Sequence, residues 1–143
     1  MTDLSHGDAQ DLLARYKRAW ETRDVDLALS LFAADAEFRF DPFEAPLAGA
    51  NAIRAWWNAI VAAIANVDWD VERIWLSGDS VLASFHAAWT DRTSAERSRT
   101  RGFLAFELGP DGLVQRLKDW SRTRPVGRDA TFSPVEPAAP VAG

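Results

Sequence analysis

The stretch Asp35-Ala-Glu37-Phe38-Arg39-Phe40-Asp41-Pro42-Phe43-Glu-Ala-Pro46-Leu-Ala-Gly49-Ala-Asn-Ala-Ile53-Arg-Ala-Trp56-Trp57 changes rhythm partway along. From Glu37 to Asp41 polar and aromatic residues alternate, the period of a half-buried strand. Pro42 ends that strand, because proline cannot donate to a ladder and holds the residue before it extended. Gly49 then precedes a helix on which Ile53, Trp57, Ile60 and Ile64 fall on one stripe, with Ala59 and Ala63 beside it. Asp41 sits at the bend among aromatic side chains. An acid so placed is expected at the mouth of a pocket, where desolvation raises a carboxyl pKa.

N-terminal to this stretch, Leu12, Leu13, Tyr16, Ala19 and Trp20 recur at spacings of three and four, which predicts an amphipathic helix over 9–22 with Tyr16 inward. Asp24 is placed to cap a second short helix ending near Ala34, with Leu27, Ala28, Leu31 and Phe32 inward. C-terminal to it, strands are expected at Val67–Leu76, Val81–Thr90, Thr100–Leu108 and Val114–Arg122. Ser77-Gly78-Asp79-Ser80 suits a two-residue hairpin connection, and Gly109-Pro110-Asp111-Gly112 a longer one. The polar run Asp91–Arg99 reads as a long solvated hairpin tip. Helices first and antiparallel strands afterwards give an α+β domain, a sheet with its helices on one face. Residues 1–8 are expected to be an extension, 9–124 the domain, and the Pro- and Ala-rich residues 125–143 a tail.

Composition narrows the function classes. In 143 residues there is no cysteine, which excludes disulfides, thiolate metal sites and cysteine nucleophiles. His6 and His86 lack metal-ligand spacing, so neither a metal nor another cofactor is expected. A net charge of -5 argues against nucleic acid as partner. No apolar run is long enough to span a membrane and the N-terminus lacks signal-peptide order, so a cytoplasmic protein is expected. Seven tryptophans and eight phenylalanines against one tyrosine point to large flat apolar surfaces. Trp20, Trp56, Trp57, Trp69, Trp75, Trp89 and Trp120 exceed what a small core can hold, and some must line a cavity or an interface.

Two acids and two donors are the candidates for chemistry. Asp41 either faces the pocket or only initiates the Asp-Pro turn. Strand alternation puts Leu113, Gln115, Leu117 and Asp119 on one side, so Asp119 lies on an apolar face unless it pairs with a nearby arginine. His86 depends on register. A bulge-free hairpin sets Val71 opposite His86 and Trp69 opposite Ala88, while Phe85 and Trp89 lie on the other face. Since both faces carry a tryptophan, periodicity leaves the pocket face open.

Ala14-Arg15-Tyr16, Leu31-Phe32-Ala33-Ala34-Asp35-Ala36, Asp41-Pro42-Phe43, Pro46, Gly49 and Ile53 resemble, in order and spacing, the nuclear-transport-factor-2-like superfamily, including ketosteroid isomerase and the SnoaL-like cyclases. The resemblance implies a curved, mostly antiparallel sheet wrapped around three helices. These form a cone with an apolar pocket, commonly dimerised through the outer sheet face. It implies an oxyanion donor at Tyr16 and a base at Asp41. The strand before the turn is one residue longer here, which brings Phe40 toward the base position. The family's second donor falls near Arg101 or Gly102. The cyclase-like relatives instead use an acid on the last strand, where this chain has Leu117-Lys118-Asp119-Trp120. Epoxide hydrolysis in that group also needs an Asp-Arg pair on an earlier strand, which Phe85-His86-Ala87-Ala88 does not supply.

The expected catalytic set is thus Asp41, Asp119, Tyr16 and His86, with Trp20, Phe38, Phe40, Trp57, Ile60, Trp69, Phe103 and Trp120 against the ligand. A cofactor-free acid-base isomerase, cyclase or dehydratase for a small apolar molecule is one reading. A non-catalytic dimeric binding or assembly module is the other. A basic surface from Arg92, Arg97, Arg99 and Arg101 is a third, resting on charge spacing alone.

Overall fold

The computed structural model describes residues 4–132. Its elements run α1 (His6–Thr22), α2 (Val25–Ser30), β1 (Phe32–Arg39), β2 (Leu47–Ala48), α3 (Ala50–Ala63), β3 (Ile64–Ser77), β4 (Ser80–Asp91), β5 (Glu96–Leu108) and β6 (Val114–Arg128). The strands form one curved, unclosed sheet in the order β2-β1-β6-β5-β4-β3, antiparallel throughout except for the parallel β1–β6 pair. With the helices against its concave face, this is the expected α+β cone.

Local chemistry sets the helix ends. Ser5 and Asp8 form a reciprocal cap on α1, the Ser5 hydroxyl accepting from Asp8 N and the Asp8 carboxylate from Ser5 N. Arg23 closes α1 in the left-handed conformation, and Asp24 caps α2 by accepting from Leu27 N at 3.0 Å. Helix α2 stops at Ser30 rather than near Ala34. Leu31 O accepts from Val114 N at 2.8 Å, and Phe32 pairs with Val114, so β6 draws this segment into the sheet four residues early.

Three further expectations are corrected. The β4–β5 connection is only residues 92–95, not a long tip. Asp91 accepts from Thr93 N and Ser94 N, and Ala95 takes a positive φ, which lets the strands resume at once. Strand β6 runs on to Arg128 opposite Glu96, so residues 125–128 belong to the sheet. The remainder of the expected tail, 133–143, lies outside the described residues. A bulge at Gln115 turns Val114 inward with Leu117 and ends the strict alternation assumed from Leu113.

The decisive irregularity is in β3. Gly78-Asp79 makes the expected two-residue turn, but Glu72 is an extra residue between the Val71–Phe85 and Arg73–Ser84 pairs. Trp69 consequently faces Ala87 and Val71 faces Phe85, while Asp70 faces His86. Trp69, Phe85 and Trp89 therefore share the concave side, and His86 the convex one. A second bulge at Asn66 and Val67, with Asn66 at φ 49°, bends the start of β3.

β3 is an exposed edge strand, and α1 covers it with side chains. Lys17 Nζ donates to Trp69 O at 2.7 Å, and Trp69 N donates to Glu21 Oε2 at 3.0 Å. Lys17 also binds Asp70 and Glu21.

Beyond β6, Asp129 is buried in a ring of donors. Its carboxylate accepts from Thr90 Oγ1 at 2.5 Å, Asn66 Nδ2 at 3.1 Å, and Thr131 N and Oγ1 at 3.0 and 2.6 Å. Arg97 stands 3.8 Å away and bonds Asp68 at 2.7 Å. By register Thr90 and Arg97 lie on the convex side, so this ring pins residues 129–131 over that face.

Candidate functional site

Between the helices and the concave sheet face lies a cavity of about 370 Å³. Tyr16 stands at its inner end, fully buried, with its ring edge-on to Trp20, Trp57, Trp69 and Phe106 at 5.3–6.2 Å between centroids. Those contacts fix the ring by the quadrupole preference of aromatic pairs. Trp69 stacks on Phe85 at 5.5 Å to form one wall. Trp56 and Ile60 on α3 form the facing wall. Asp119, Ser121 and Thr123, alternate residues of β6, supply a polar stripe along the same cavity.

Asp119 is the distinctive group. Its Oδ1 is buried and has no hydrogen-bond partner. Burial raises its pKa from the usual carboxylate value, opposed by a hydrogen bond from Ser121. Burial first, and the charge of Asp119 second, push the Tyr16 phenol well above its ordinary range, so it remains a protonated donor. An acid that ionises reluctantly beside a phenol that keeps its proton is a base and an oxyanion donor sharing one apolar chamber. Trp57 Nε1 is the other buried atom without a partner among the described residues, but it stands in packed core, with Trp57 stacked on Trp20 at 3.9 Å.

The structure brings together Tyr16, Asp119, Trp20, Ile60 and Trp69 from the expected set. It corrects the placement of the others. Asp41 is in the turn after β1, its Oδ1 accepting from Phe43 N at 2.9 Å, and it does not line the cavity. The strand ends before it, and the Asp-Pro turn carries its carboxylate back onto its own backbone. His86 is on the convex face, set there by the alternation of β4, whose Val81, Ala83, Phe85 and Ala87 are buried on the other side, with Nδ1 3.1 Å from Glu72 and Nε2 3.9 Å from Asp70. Phe38 and Trp57 are core, each fully buried. Phe40 stacks outside them on Trp56, 48% exposed. Phe103 and Trp120 pair across β5 and β6 on the convex face, 55% and 39% exposed.

Sequence reasoning missed Trp56, Phe85, Trp89, Thr100, Ser121 and Thr123 as cavity residues. Continuing the Leu117–Asp119 alternation would have found the last two. Gly102, near which the resemblance put a second donor acid, lies between Thr100 and Leu104 opposite Ser121. A Cβ there would strike the Trp120 carbonyl and come within 2.6 Å of Ser121 Cα. That close backbone approach leaves no room for a side chain, so the oxyanion donor set has no carboxylic acid from β5.

Among the described residues no group of His, Cys, Asp and Glu is arranged to hold a metal ion, and no helix is long and apolar enough to cross a membrane.

A family described as the SnoaL-like domain matches residues 13–117. No curated protein sequence matches the chain. Among solved structures, the epoxide hydrolase/cyclase-like enzyme SalBIII of pyran ring formation in salinomycin aligns with TM-score 0.72 and 20% identity, over 82% of this chain and 93% of that one. An LEH-like epoxide hydrolase of Mycobacterium tuberculosis aligns with TM-score 0.69 and 16% identity, over 81% and 84%. RV0760c of the same organism, in complex with estradiol-17beta-hemisuccinate, aligns with TM-score 0.69 and 17% identity, over 79% and 92%. At these identities the likeness is one of fold.

Proposed function

We propose, from the premise that this chain belongs to the SnoaL-like domain family, that it takes a small, mostly apolar carbonyl compound into the cavity and moves a proton on it without a cofactor. The observation that carries this reading is the unpartnered, buried Oδ1 of Asp119 in the wall of an aromatic chamber beside Tyr16. In this scheme the ionised Asp119 removes a proton from the carbon next to the carbonyl. The Tyr16 hydroxyl donates a hydrogen bond to the enolate oxygen that forms. In an unsaturated ketone Asp119 then returns the proton to the far carbon of the dienolate, an isomerisation. Where the ligand carries a second carbonyl, the enolate carbon attacks it, its C=O π bond opens to an alkoxide, and the alkoxide takes the proton from Asp119, a cyclisation. Epoxide hydrolysis is the weaker reading, because the cavity offers no arginine beside Asp119.

Asp41 and His86, outside the cavity, have no part in this scheme. A homodimer through the convex face and a cytoplasmic location complete the proposal. Trp75, Phe103 and Trp120 are exposed on that face, with Arg73 over Trp75 at 5.1 Å, and sheet packing would cover them. The second reading is a chamber that binds without turnover, favoured by the estradiol-17beta-hemisuccinate held in the RV0760c structure of the same fold.

The test is a screen of steroid-like and polyketide-like ketones by tryptophan fluorescence, followed by exchange of the ligand's α-proton with solvent deuterium. Asp119→Asn is expected to slow exchange by roughly 100-fold or more, and Asp41→Asn to leave it unchanged. Binding without exchange selects the second reading. Exchange indifferent to Asp119→Asn removes Asp119 as the base.

A further inference from the structure

The polar stripe on β6 carries information beyond the reacting end. Asp119, Ser121 and Thr123 point to one side of the strand, and all three line the cavity. From Asp119 to Thr123 the strand advances about 13 Å, at ~3.3 Å per residue. Ser121 and Thr123 are exposed residues, whereas Tyr16 and Trp69 are buried, so the stripe runs from the inner end to the rim.

At the rim the hydroxyls are oriented by a neighbour. Trp89 Nε1, which can only donate, donates to Thr100 Oγ1 at 3.3 Å. Thr100 Oγ1 lies 2.7 Å from Thr123 Oγ1. Accepting from the indole polarises the Thr100 hydroxyl and makes it the stronger donor of the pair, which favours Thr100 donating to Thr123. In that arrangement Thr123, which lines the cavity, keeps its own hydroxyl hydrogen to offer to a ligand there. The relay Trp89 to Thr100 to Thr123 thus ends in a donor, at the opposite end of the chamber from the Tyr16 phenol.

We propose that the cavity selects an elongated, otherwise apolar carbonyl compound with a second oxygen acceptor, ether or carbonyl, at the end remote from the reacting carbonyl, and that Thr123 is the residue that reads it. This rests on the reading of Asp119 and Tyr16 as the reacting end. The aromatic walls of Trp69, Phe85 and Trp56 accept the flat body between the two oxygens, and the strand fixes their separation.

The experiment compares two ligands of equal size. One is cyclohexanone bearing a para-methoxyphenyl group on the carbon opposite the carbonyl. The other carries para-ethylphenyl, with a methylene in place of the ether oxygen. Calorimetric titration of the wild type is expected to give about fivefold tighter binding of the methoxy ketone, the scale of one neutral hydrogen bond. In Thr123→Val the ratio of the two affinities is expected to fall to about one. In Trp89→Phe, which frees Thr100 to turn its hydroxyl, it is expected to fall partway. A ratio of one in the wild type, or a ratio that survives Thr123→Val in a variant with an unchanged melting temperature, overturns the assignment of Thr123 while leaving the reacting end intact. If neither ketone binds the wild type, both the assignment and the proposed function beneath it are overturned.

Discussion

Asp119 and Asp129 come from one continuous stretch of chain, yet the fold treats them in opposite ways. Asp119 is on the concave side with an oxygen that has no partner, and burial raises its pKa. Asp129 is pinned over the convex side, and hydrogen bonds from Thr131, Thr90 and Asn66 hold its carboxyl far below the usual range. One acid is saturated with donors and is part of the architecture. The other is desolvated and left unsatisfied, a cost to folding that only a ligand could offset. The difference separates an acid that holds the molecule together from one that is free to react.

Exchanging each acid for leucine tests that separation most severely. Asp119→Leu is expected to abolish ketone exchange, a loss of about 100-fold or more, while gaining about 1 kcal/mol in urea unfolding. Asp129→Leu is expected to lower the unfolding midpoint, with the molecules that remain folded exchanging at the wild-type rate. A variant that lost, or kept, both properties would erase the distinction.

pH separates the two next. The folded pKa of Asp119 is raised, so its contribution is full below about 3.8 and is lost as pH climbs through the raised value. The folded pKa of Asp129 is lowered, so its contribution is present above about 3.8 and is lost as pH falls. Relative to Asp119→Asn, the wild type should therefore weaken on going from pH 4 to pH 7. Relative to Asp129→Asn, it should weaken on going from pH 4 to pH 2. Urea titrations at these pH values read both slopes, and equal signs would contradict the pairing.

The smallest effect sharpens the convex side alone. Thr90 is fully buried, and Thr90→Val should cost about 1 kcal/mol by removing one donor from Asp129, with ketone exchange unaltered.

The Asp119 side of this contrast could be read in the sequence, and the unreadable part has a physical origin. The spacing of Leu12, Leu13, Tyr16 and Trp20 placed Tyr16 inward because a helix has one dominant period. Leu117 and Asp119 shared a face because a strand has a period of two. Gly78-Asp79 announced its turn. The family resemblance, carried by the run from Tyr16 to Ile53, supplied the cone. What no period contains is an inserted residue. The single extra residue Glu72 put Trp69 and Phe85 on one wall and set Asp70 rather than Val71 opposite His86. Long-range pairing was equally hidden, since the parallel join of Phe32 to Val114, which shortened α2, has no local signature. Asp129 was invisible for the same reason, its partners being drawn from β3, β4 and the turn at Thr131.

The side chains laid along β3 bear on how copies of this protein meet in solution. Lys17 and Glu21 occupy both the carbonyl and the amide of Trp69 on the strand at the open edge of the sheet. To a foreign strand approaching that edge, these hydrogen-bonding positions are already filled, by charged groups that water favours. Arg23 and Arg97 likewise donate to Ile64 O and Asn66 O of the same strand. Where the sheet stays unclosed, these charged side chains discourage strand-to-strand growth between molecules and leave the aromatic-rich chain a colloidally quiet border.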